Sequence, residues 1–127
     1  MKRILVVDDE PYIQEVAQIC LEMLAGWTVI TAGSGAEAIA KAELEQPDAI
    51  LLDVMMPDMD GMTTFSNLQA NPATQAIPVL MLSAKALLSD ADFYTTVGIK
   101  AAIAKPFDPL TLAHQIADVL GWSIPAA

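Results

Sequence analysis

Five short apolar runs recur along the chain, and they constrain the fold more than any other feature. Four of them lack the alternation of apolar and polar residues that marks a half-exposed strand, so each predicts a strand buried on both faces of a parallel sheet. The fifth, 28–32, is rich in β-branched residues and lies between two glycines, which also predicts a strand. The four uniform runs cover residues 4–7, 49–52, 79–82 and 101–104.

The segments between these runs have the spacing of amphipathic helices. From Ile13 to Leu24, apolar residues recur at steps of three and one, which predicts a helix with one apolar face. The last segment opens with Asp108 and Pro109, the residue types of an N-cap and a first helical position. The predicted helices cover about residues 13–24, 34–46, 62–70, 87–97 and 108–120.

Strands that alternate with helices predict a parallel sheet with right-handed crossovers and helices on both faces. The chain has 127 residues, of which 54% are hydrophobic and 17% are charged. This balance excludes an intrinsically disordered chain, and the length predicts one domain without a linker. The sequence therefore predicts a single α/β domain.

The net charge and the cysteine content exclude several functions. A formal charge of −10 repels nucleic acid and anionic lipid, so neither is expected as a direct partner, whereas divalent cations and basic protein surfaces are. Cys20 is the single cysteine, and the first apolar run has only four residues, too few for a signal segment. A cytoplasmic location is therefore expected.

Polar residues follow four of the five apolar runs. Asp8 and Asp9 follow the first, Asp53 follows the third, Ser83 the fourth and Lys105 the fifth. The carboxyl ends of parallel strands meet at one edge of a sheet, where α/β proteins bind their ligands. These side chains are therefore expected to converge on one site.

The composition of this predicted site points to phosphoryl chemistry. Three carboxylates a few ångströms apart repel one another by several kcal/mol, so a cation is required. Oxygen ligands without histidine or cysteine select Mg²⁺ or Mn²⁺, and Mg²⁺ commonly shares its ligands with phosphate oxygens. Lys105 adds a positive charge and Ser83 a hydroxyl donor, while the Asp53 carboxylate is a candidate nucleophile that would form an aspartyl phosphate.

The same residues resemble the receiver domain of two-component response regulators. The similar segments are Asp8-Asp9, the run from Leu51 to Gly61 around Asp53, Ser83-Ala84, and Lys105-Pro106-Phe107. The resemblance implies a flavodoxin-like, doubly wound α/β fold with five helices and a five-stranded parallel sheet in the order 2-1-3-4-5. It implies a receiver domain over residues 1–121, followed by a short C-terminal tail, 122–127.

The resemblance also implies roles for the individual residues. Asp53 would be the phosphoacceptor, Ser83 and Lys105 would contact the phosphoryl group, and the Lys105-Pro106 peptide bond would be cis. The implied Mg²⁺ ligands are Asp8, Asp9, Asp53 and the backbone carbonyl of Met55. The implied donor is a phosphohistidine on a sensor histidine kinase or a phosphotransfer protein, and the implied output is a change of affinity for a downstream protein. The resemblance thus implies a switch that assists its own phosphorylation and dephosphorylation, and not an enzyme.

The sequence departs from the family pattern at Ala102, three residues before the lysine, where an aromatic residue is usual. Without that aromatic ring, the signal is expected to pass through the loop after Ser83 and the fourth predicted helix. The resemblance also implies that Met55 and Lys85 tune dephosphorylation. A methionine at position 55 does not hold an attacking water by hydrogen bonding, so we expect a comparatively long-lived phosphoryl group.

Two other functions are compatible with parts of the pattern. A small phosphohydrolase of the haloacid dehalogenase type also forms an aspartyl phosphate, but it needs a second acid where this chain has Met55. A receiver-like module that binds its partner without phosphorylation is the other alternative. Because 127 residues are nearly filled by a receiver domain, the expected output is contact with another protein, not a DNA-binding domain in the same chain.

Overall fold

Five parallel strands alternate with five helices in the computed structural model, which describes residues 2–84 and 91–124. The strands are β1 (Arg3–Val7), β2 (Thr28–Ala32), β3 (Ala49–Asp53), β4 (Val79–Ala84) and β5 (Ala101–Lys105). The helices are α1 (Pro11–Ala25), α2 (Gly35–Glu45), α3 (Gly61–Ala70), α4 (Ala91–Val97) and α5 (Leu112–Leu120). Each predicted strand is present and confirmed.

The strands form one sheet in the order β2-β1-β3-β4-β5, and each neighbouring pair is parallel. The predicted doubly wound topology is confirmed. The chain leaves β1 toward one edge of the sheet for β2 and then returns to the other side of β1 for β3. This change of direction opens a crevice at the carboxyl ends of β1 and β3, the place where such sheets bind ligands.

Both faces of the sheet are covered, which explains the uniform apolar runs. Successive strand residues point to opposite faces, so Ile4 and Val6 pack with α1 and α5, while Leu5 and Val7 pack with the α2, α3 and α4 side. All four residues are fully buried. A strand between two helical layers needs apolar residues at every position, as the sequence has.

Short polar signals start two of the helices. The Ser34 hydroxyl accepts a hydrogen bond from the Glu37 N–H and caps α2, as the predicted start at this point requires. The Asp60 carboxylate accepts one from the Thr63 N–H at 2.8 Å and caps α3, which begins at Gly61 instead of the predicted residue 62. Gly98, the predicted end of α4, has a positive φ of 107°.

The predicted start of the last helix is wrong, because α5 begins at Leu112 and not at Pro109. The Asp108 carboxylate accepts a hydrogen bond from the Leu110 N–H at 2.9 Å, and its carbonyl accepts from Thr111 and Leu112. The predicted cap therefore stabilises a turn that precedes the helix. The predicted fourth helix begins within residues 85–90, which lie outside the described residues. Lys85 lies in the same range. The described part of this helix is α4.

The segment after α5 packs against the core. The Trp122 ring lies edge-on to the Trp27 ring with centroids 5.0 Å apart, and the Lys2 ammonium lies 5.1 Å from the Trp122 ring centroid. Ile124 contacts the same α1 and α5 side of the core. The first residues of the predicted tail thus contribute apolar contacts at the end of the sheet where β1 and β2 begin.

In the described ranges, each helix is too short or too polar to traverse a lipid bilayer.

Candidate functional site

Three of the predicted site residues come from the carboxyl ends of three different strands. Asp8 directly follows β1, Asp53 is the last residue of β3, and Lys105 is the last residue of β5. β1 and β3 are neighbours, whereas β4 separates β3 from β5, so the long Lys105 side chain extends across the end of β4 to reach the two acids. The switch of strand order thus brings residues 97 positions apart into contact.

The carboxylates of Asp8, Asp9 and Asp53 form one cluster. Each offers an oxygen atom, and these oxygens all lie within 4.8 Å of one another. Asp8 is fully buried and Asp53 is 2% exposed, while Asp9 is exposed. The cluster therefore has a buried base and one ligand at the solvent side, as a site open to an incoming group requires.

Lys105 neutralises part of this negative charge. Its ammonium donates to an Asp8 oxygen at 2.9 Å and to an Asp53 oxygen at 3.2 Å. Burial lowers the pKa of Lys105, but its hydrogen bond to Asp8 and the charge of Asp53 outweigh that effect, so the pKa of Lys105 is raised overall. The ammonium therefore stays charged at neutral pH. The predicted cis peptide bond between Lys105 and Pro106 is present.

The ionisation of Asp53 is disfavoured by its surroundings. Its burial, the largest cause, and the neighbouring charge of Asp8, the second largest, raise the pKa of Asp53 from 3.8 to about 6. Lys105 and the Met55 N–H act in the opposite direction. The Met55 N–H donates to the second Asp53 oxygen at 3.2 Å. At neutral pH the carboxylate is ionised but held in a poorly solvated position, which a cation would relieve.

The other predicted site residues differ in how closely they approach the cluster. Ser83 is buried in β4, and among the described residues its hydroxyl donates to the Ala84 carbonyl at 3.3 Å, not to Asp53. Met55 contacts Asp53 through its N–H, and its side chain is 67% exposed. Ala102 pairs with Met81 in the sheet and is partly buried, so a small side chain occupies this position.

Sequence reasoning did not assign Glu10 to the site, although it directly follows the acid pair. Its carboxylate lies 3.5 Å from the Lys105 ammonium, and its backbone N–H donates to an Asp8 oxygen at 2.9 Å. Glu10 is the N-cap of α1, but its side chain makes no capping hydrogen bond. The cluster around Lys105 therefore contains three carboxylates in contact with the ammonium, from Asp8, Glu10 and Asp53.

Gly61, at the start of α3, lies directly against the backbone at the end of β3. Its N–H donates to the Val54 carbonyl at 2.8 Å, and a Cβ atom at this position would lie 2.5 Å from the Asp53 carbonyl oxygen and 2.7 Å from the Val54 Cα. Both are backbone atoms directly at the acidic cluster. Only glycine allows this approach.

We therefore expect Gly61→Ala to lower the free energy of unfolding by about 1–3 kcal/mol, because the backbone of β3 has to move away from the new methyl group. Urea unfolding measures this effect. Gly33→Ala is the matched control, since its added Cβ would approach only the ends of the Gln14 and Glu37 side chains, at 3.4 and 3.6 Å. Equal losses in the two variants would contradict the close contact.

The three clustered acids suit a hard divalent cation. The ligand set consists of carboxylate oxygens, without histidine or cysteine, and one acid is exposed to solvent. Such a set fits Mg²⁺ or Mn²⁺, which bind through few carboxylates and keep several waters, and does not fit zinc. The acidic cluster is thus a group that could hold a metal ion.

Similar proteins of known sequence are response regulators. A family model described as the response regulator receiver domain matches residues 4–117. The probable transcriptional regulatory protein TcrX of Mycobacterium tuberculosis is 42% identical over 105 residues, which cover 82% of this chain and 43% of that protein. The alkaline phosphatase synthesis transcriptional regulatory protein PhoP of Bacillus subtilis is 40% identical, over 99% of this chain and 51% of that protein. The chain thus spans about half the length of these curated relatives.

Similar solved structures have the same fold over nearly their whole length. The chemotaxis protein CheY4 of Vibrio cholerae superposes with a TM-score of 0.85 at 33% identity and covers 94% of this chain and 98% of that chain. The N-terminal domain of a response regulator receiver protein from Methanoculleus marisnigri superposes with a TM-score of 0.78 at 41% identity and covers 97% and 99%. The chain therefore belongs to the response regulator receiver domain family, the phosphoacceptor switches of two-component signalling.

Proposed function

We propose that this chain accepts a phosphoryl group on Asp53 in the presence of Mg²⁺ and thereby changes its affinity for a protein partner. One observation carries the proposal. The buried Asp53 carboxylate shares a cluster with Asp8 and Asp9, each with an oxygen within 4.8 Å of the others, and the Lys105 ammonium donates to one oxygen of Asp8 and one of Asp53. A nucleophile, a cation site and a fixed positive charge are the parts that phosphoryl transfer needs.

In the proposed reaction, an Asp53 carboxylate oxygen attacks the phosphorus atom of a phosphohistidine. An O–P bond forms, the N–P bond of the donor breaks, and the electron pair of that bond stays on the imidazole nitrogen, which takes a proton from solvent. Because the transition state is loose, positioning and charge neutralisation supply most of the acceleration. The chain thus assists a transfer to itself and does not turn over a substrate.

The remaining residues support this step by charge and by hydrogen bonding. Asp8, Asp9, Asp53 and the Met55 carbonyl would hold Mg²⁺ or Mn²⁺, which supplies neutralisation of the phosphoryl oxygens when bound. Lys105 would move its contact from Asp53 to a phosphoryl oxygen. Ser83, at the end of the neighbouring strand β4, would donate its hydroxyl to another, which requires a rotation away from the Ala84 carbonyl.

The proposed partners follow from this chemistry. The phosphoryl donor would be a sensor histidine kinase or a phosphotransfer protein, and the output would be a downstream protein. The net charge of −10 supports a protein target over direct contact with nucleic acid or a membrane surface. The single free thiol of Cys20, which is buried, is compatible with action in the cytoplasm.

The direct test is the intact mass of the protein after incubation with acetyl phosphate. The wild type should gain the mass of one phosphoryl group with Mg²⁺ and should gain none with EDTA, and Asp53→Asn should gain none in either condition. The positive control is another receiver domain that gains mass in the same assay. If that control gains mass and this wild type does not, the result contradicts phosphorylation by this route and favours a module that binds its partner without phosphorylation.

Met55 is expected to set the lifetime of the phosphoryl group. Its side chain is exposed beside Asp53 and has no strong hydrogen-bonding atom with which to hold an attacking water. Replacing it by asparagine should shorten the half-life of the phosphorylated protein several-fold, because the amide supplies a donor and an acceptor for that water. Decay of the phosphorylated mass after removal of acetyl phosphate measures the half-life. Met55→Leu is the matched control, and an asparagine variant with unchanged or slower decay would contradict this role.

A further inference from the structure

Gln14, in the first turns of α1, connects the ends of the two strands beside the acidic cluster. Its side-chain amide nitrogen donates to the Asp8 carbonyl at 2.7 Å and lies 3.5 Å from the Ala32 carbonyl. The Ala32 carbonyl also accepts the Asp8 N–H at 3.1 Å. Gln14 thus connects Asp8, one residue beyond the last ladder pair of β1 and β2, with Ala32, which pairs with Val7 in that ladder.

The carbonyl that Gln14 contacts belongs to the peptide group between Asp8 and Asp9. The Asp8 side chain is held independently of Gln14, because the Glu10 N–H and the Lys105 ammonium each bind one of its oxygens. The Asp9 side chain is exposed and, within the described part of the chain, has no hydrogen bond or ion pair of its own. Its direction therefore depends on the orientation of the backbone, where the Asp8 carbonyl accepts the Gln14 amide.

We propose that Gln14 is a positioning residue for the cation site, and that its amide fixes the Asp8–Asp9 peptide so that the Asp9 carboxylate faces Asp8 and Asp53. This inference rests on the proposed function, since it concerns the same Mg²⁺ site. Gln14 does not touch the cation or the phosphoryl group. It acts by keeping a third ligand close to the other two before the cation arrives, which lowers the conformational entropy lost on binding.

Gln14→Met tests the amide directly, because methionine has about the same length and lacks the donor. Gln18→Met is the matched control: Gln18 lies one turn further along α1 and is also partly buried, and among the described residues its side chain donates only to the Glu22 carboxylate, at 3.3 Å. Loss of one hydrogen bond at the site predicts roughly 3- to 10-fold weaker binding of the cation in the first variant. The second variant should bind the cation like the wild type.

The experiment titrates each full-length protein with Mn²⁺ and measures the free ion by its electron paramagnetic resonance signal, with Mg²⁺ as the competitor. Phosphorylation by acetyl phosphate is then measured against Mg²⁺ concentration. For Gln14→Met, the half-saturating Mg²⁺ concentration should rise with the dissociation constant, and the rate at saturating Mg²⁺ should stay within about twofold of the wild type. Amide chemical shifts of Asp9 and Glu10 in the metal-free protein should move in this variant and not in the Gln18 variant.

The outcomes separate this inference from the proposed function. Wild-type Mn²⁺ affinity in Gln14→Met would overturn the positioning role and leave the proposed function intact. A fall in the saturating rate that matches the loss of affinity would also overturn it, because the amide would then be supporting the whole site and not the cation ligands alone. A wild-type protein that neither binds Mn²⁺ nor takes up a phosphoryl group would overturn both.

Discussion

Replacing Lys105 by methionine is expected to lower the free energy of unfolding of the metal-free protein by about 3–5 kcal/mol, because the change leaves buried carboxylates without their cation. Asp8 is fully buried and Asp53 is 2% exposed, and the Lys105 ammonium is the positive group within 3.2 Å of both. Without it, two negative charges face each other in a poorly solvated site. Urea unfolding in EDTA measures the loss.

Two further measurements connect that loss to the acidic cluster. Mg²⁺ should stabilise Lys105→Met more than it stabilises the wild type, since the divalent ion then replaces the missing charge. Adding Asp53→Asn to Lys105→Met should recover part of the stability, because one of the buried charges is gone. Lys100→Met, at an exposed position before β5, is the control. A Lys105 variant as stable as this control would contradict the ion-pair account.

Asp53→Asn is expected to make the metal-free protein more stable at neutral pH. Burial and the charge of Asp8 raise the pKa of Asp53 from 3.8 to about 6, so the folded state binds this proton more tightly than the unfolded state does. The contribution of this group to the free energy of unfolding is fully present below about pH 4 and is lost as the pH rises through 6. Asparagine removes that loss, which amounts to about 2–3 kcal/mol at neutral pH and above.

The stability difference between Asp53→Asn and the wild type should change with pH in one defined direction. In EDTA, the advantage of Asp53→Asn over the wild type should be small near pH 4, grow between about pH 4 and pH 6, and stay constant above that range. Asp118→Asn, at an exposed position on α5, should show no such trend. An Asp53→Asn variant that is less stable than the wild type at neutral pH would mean that the carboxylate stabilises the fold.

Much of the fold follows from the sequence because its strands lie between two helical layers. A strand such as β3 is buried at all five positions, so it has to be apolar throughout until Asp53 at its end. The position of that acid then marks the ligand-binding edge of the sheet. The convergence of Asp8, Asp53 and Lys105 was therefore predictable from local patterns together with general rules of α/β topology, whereas the strand order was implied by the resemblance to receiver domains.

The features that were not predicted depend on contacts between distant segments or on competition between local signals. Asp108 and Pro109 are equally good residues for a helix start and for a turn, and the chain uses the turn before α5 begins at Leu112. Trp122 follows the last helix and gives no sign in the sequence that it packs on Trp27.

Gln14 and Glu10 illustrate the same limit within the site. In the sequence, a glutamine on a partly polar helix looks like an ordinary surface residue. Only the three-dimensional structure reveals that the Gln14 amide donates to the Asp8 carbonyl. Glu10 directly follows the acid pair, so its position was a usable signal, but its contact with Lys105 depends on where β5 lies in the sheet. Local sequence patterns identify the charged residues of the site. The residues that contact them and orient them can be identified only from the three-dimensional structure.

Asp53 is expected to be the residue that receives the phosphoryl group. Borohydride reduces an aspartyl phosphate to homoserine and releases phosphate, so reduction after incubation with acetyl phosphate and Mg²⁺ marks the acceptor permanently. Tandem mass spectrometry of the peptide around β3 should then find homoserine at position 53 in the wild type, and unmodified aspartate there when Mg²⁺ is replaced by EDTA. Homoserine at Asp8 or Asp9 with an intact Asp53, or no homoserine in a protein that has gained the phosphoryl mass, would contradict the account.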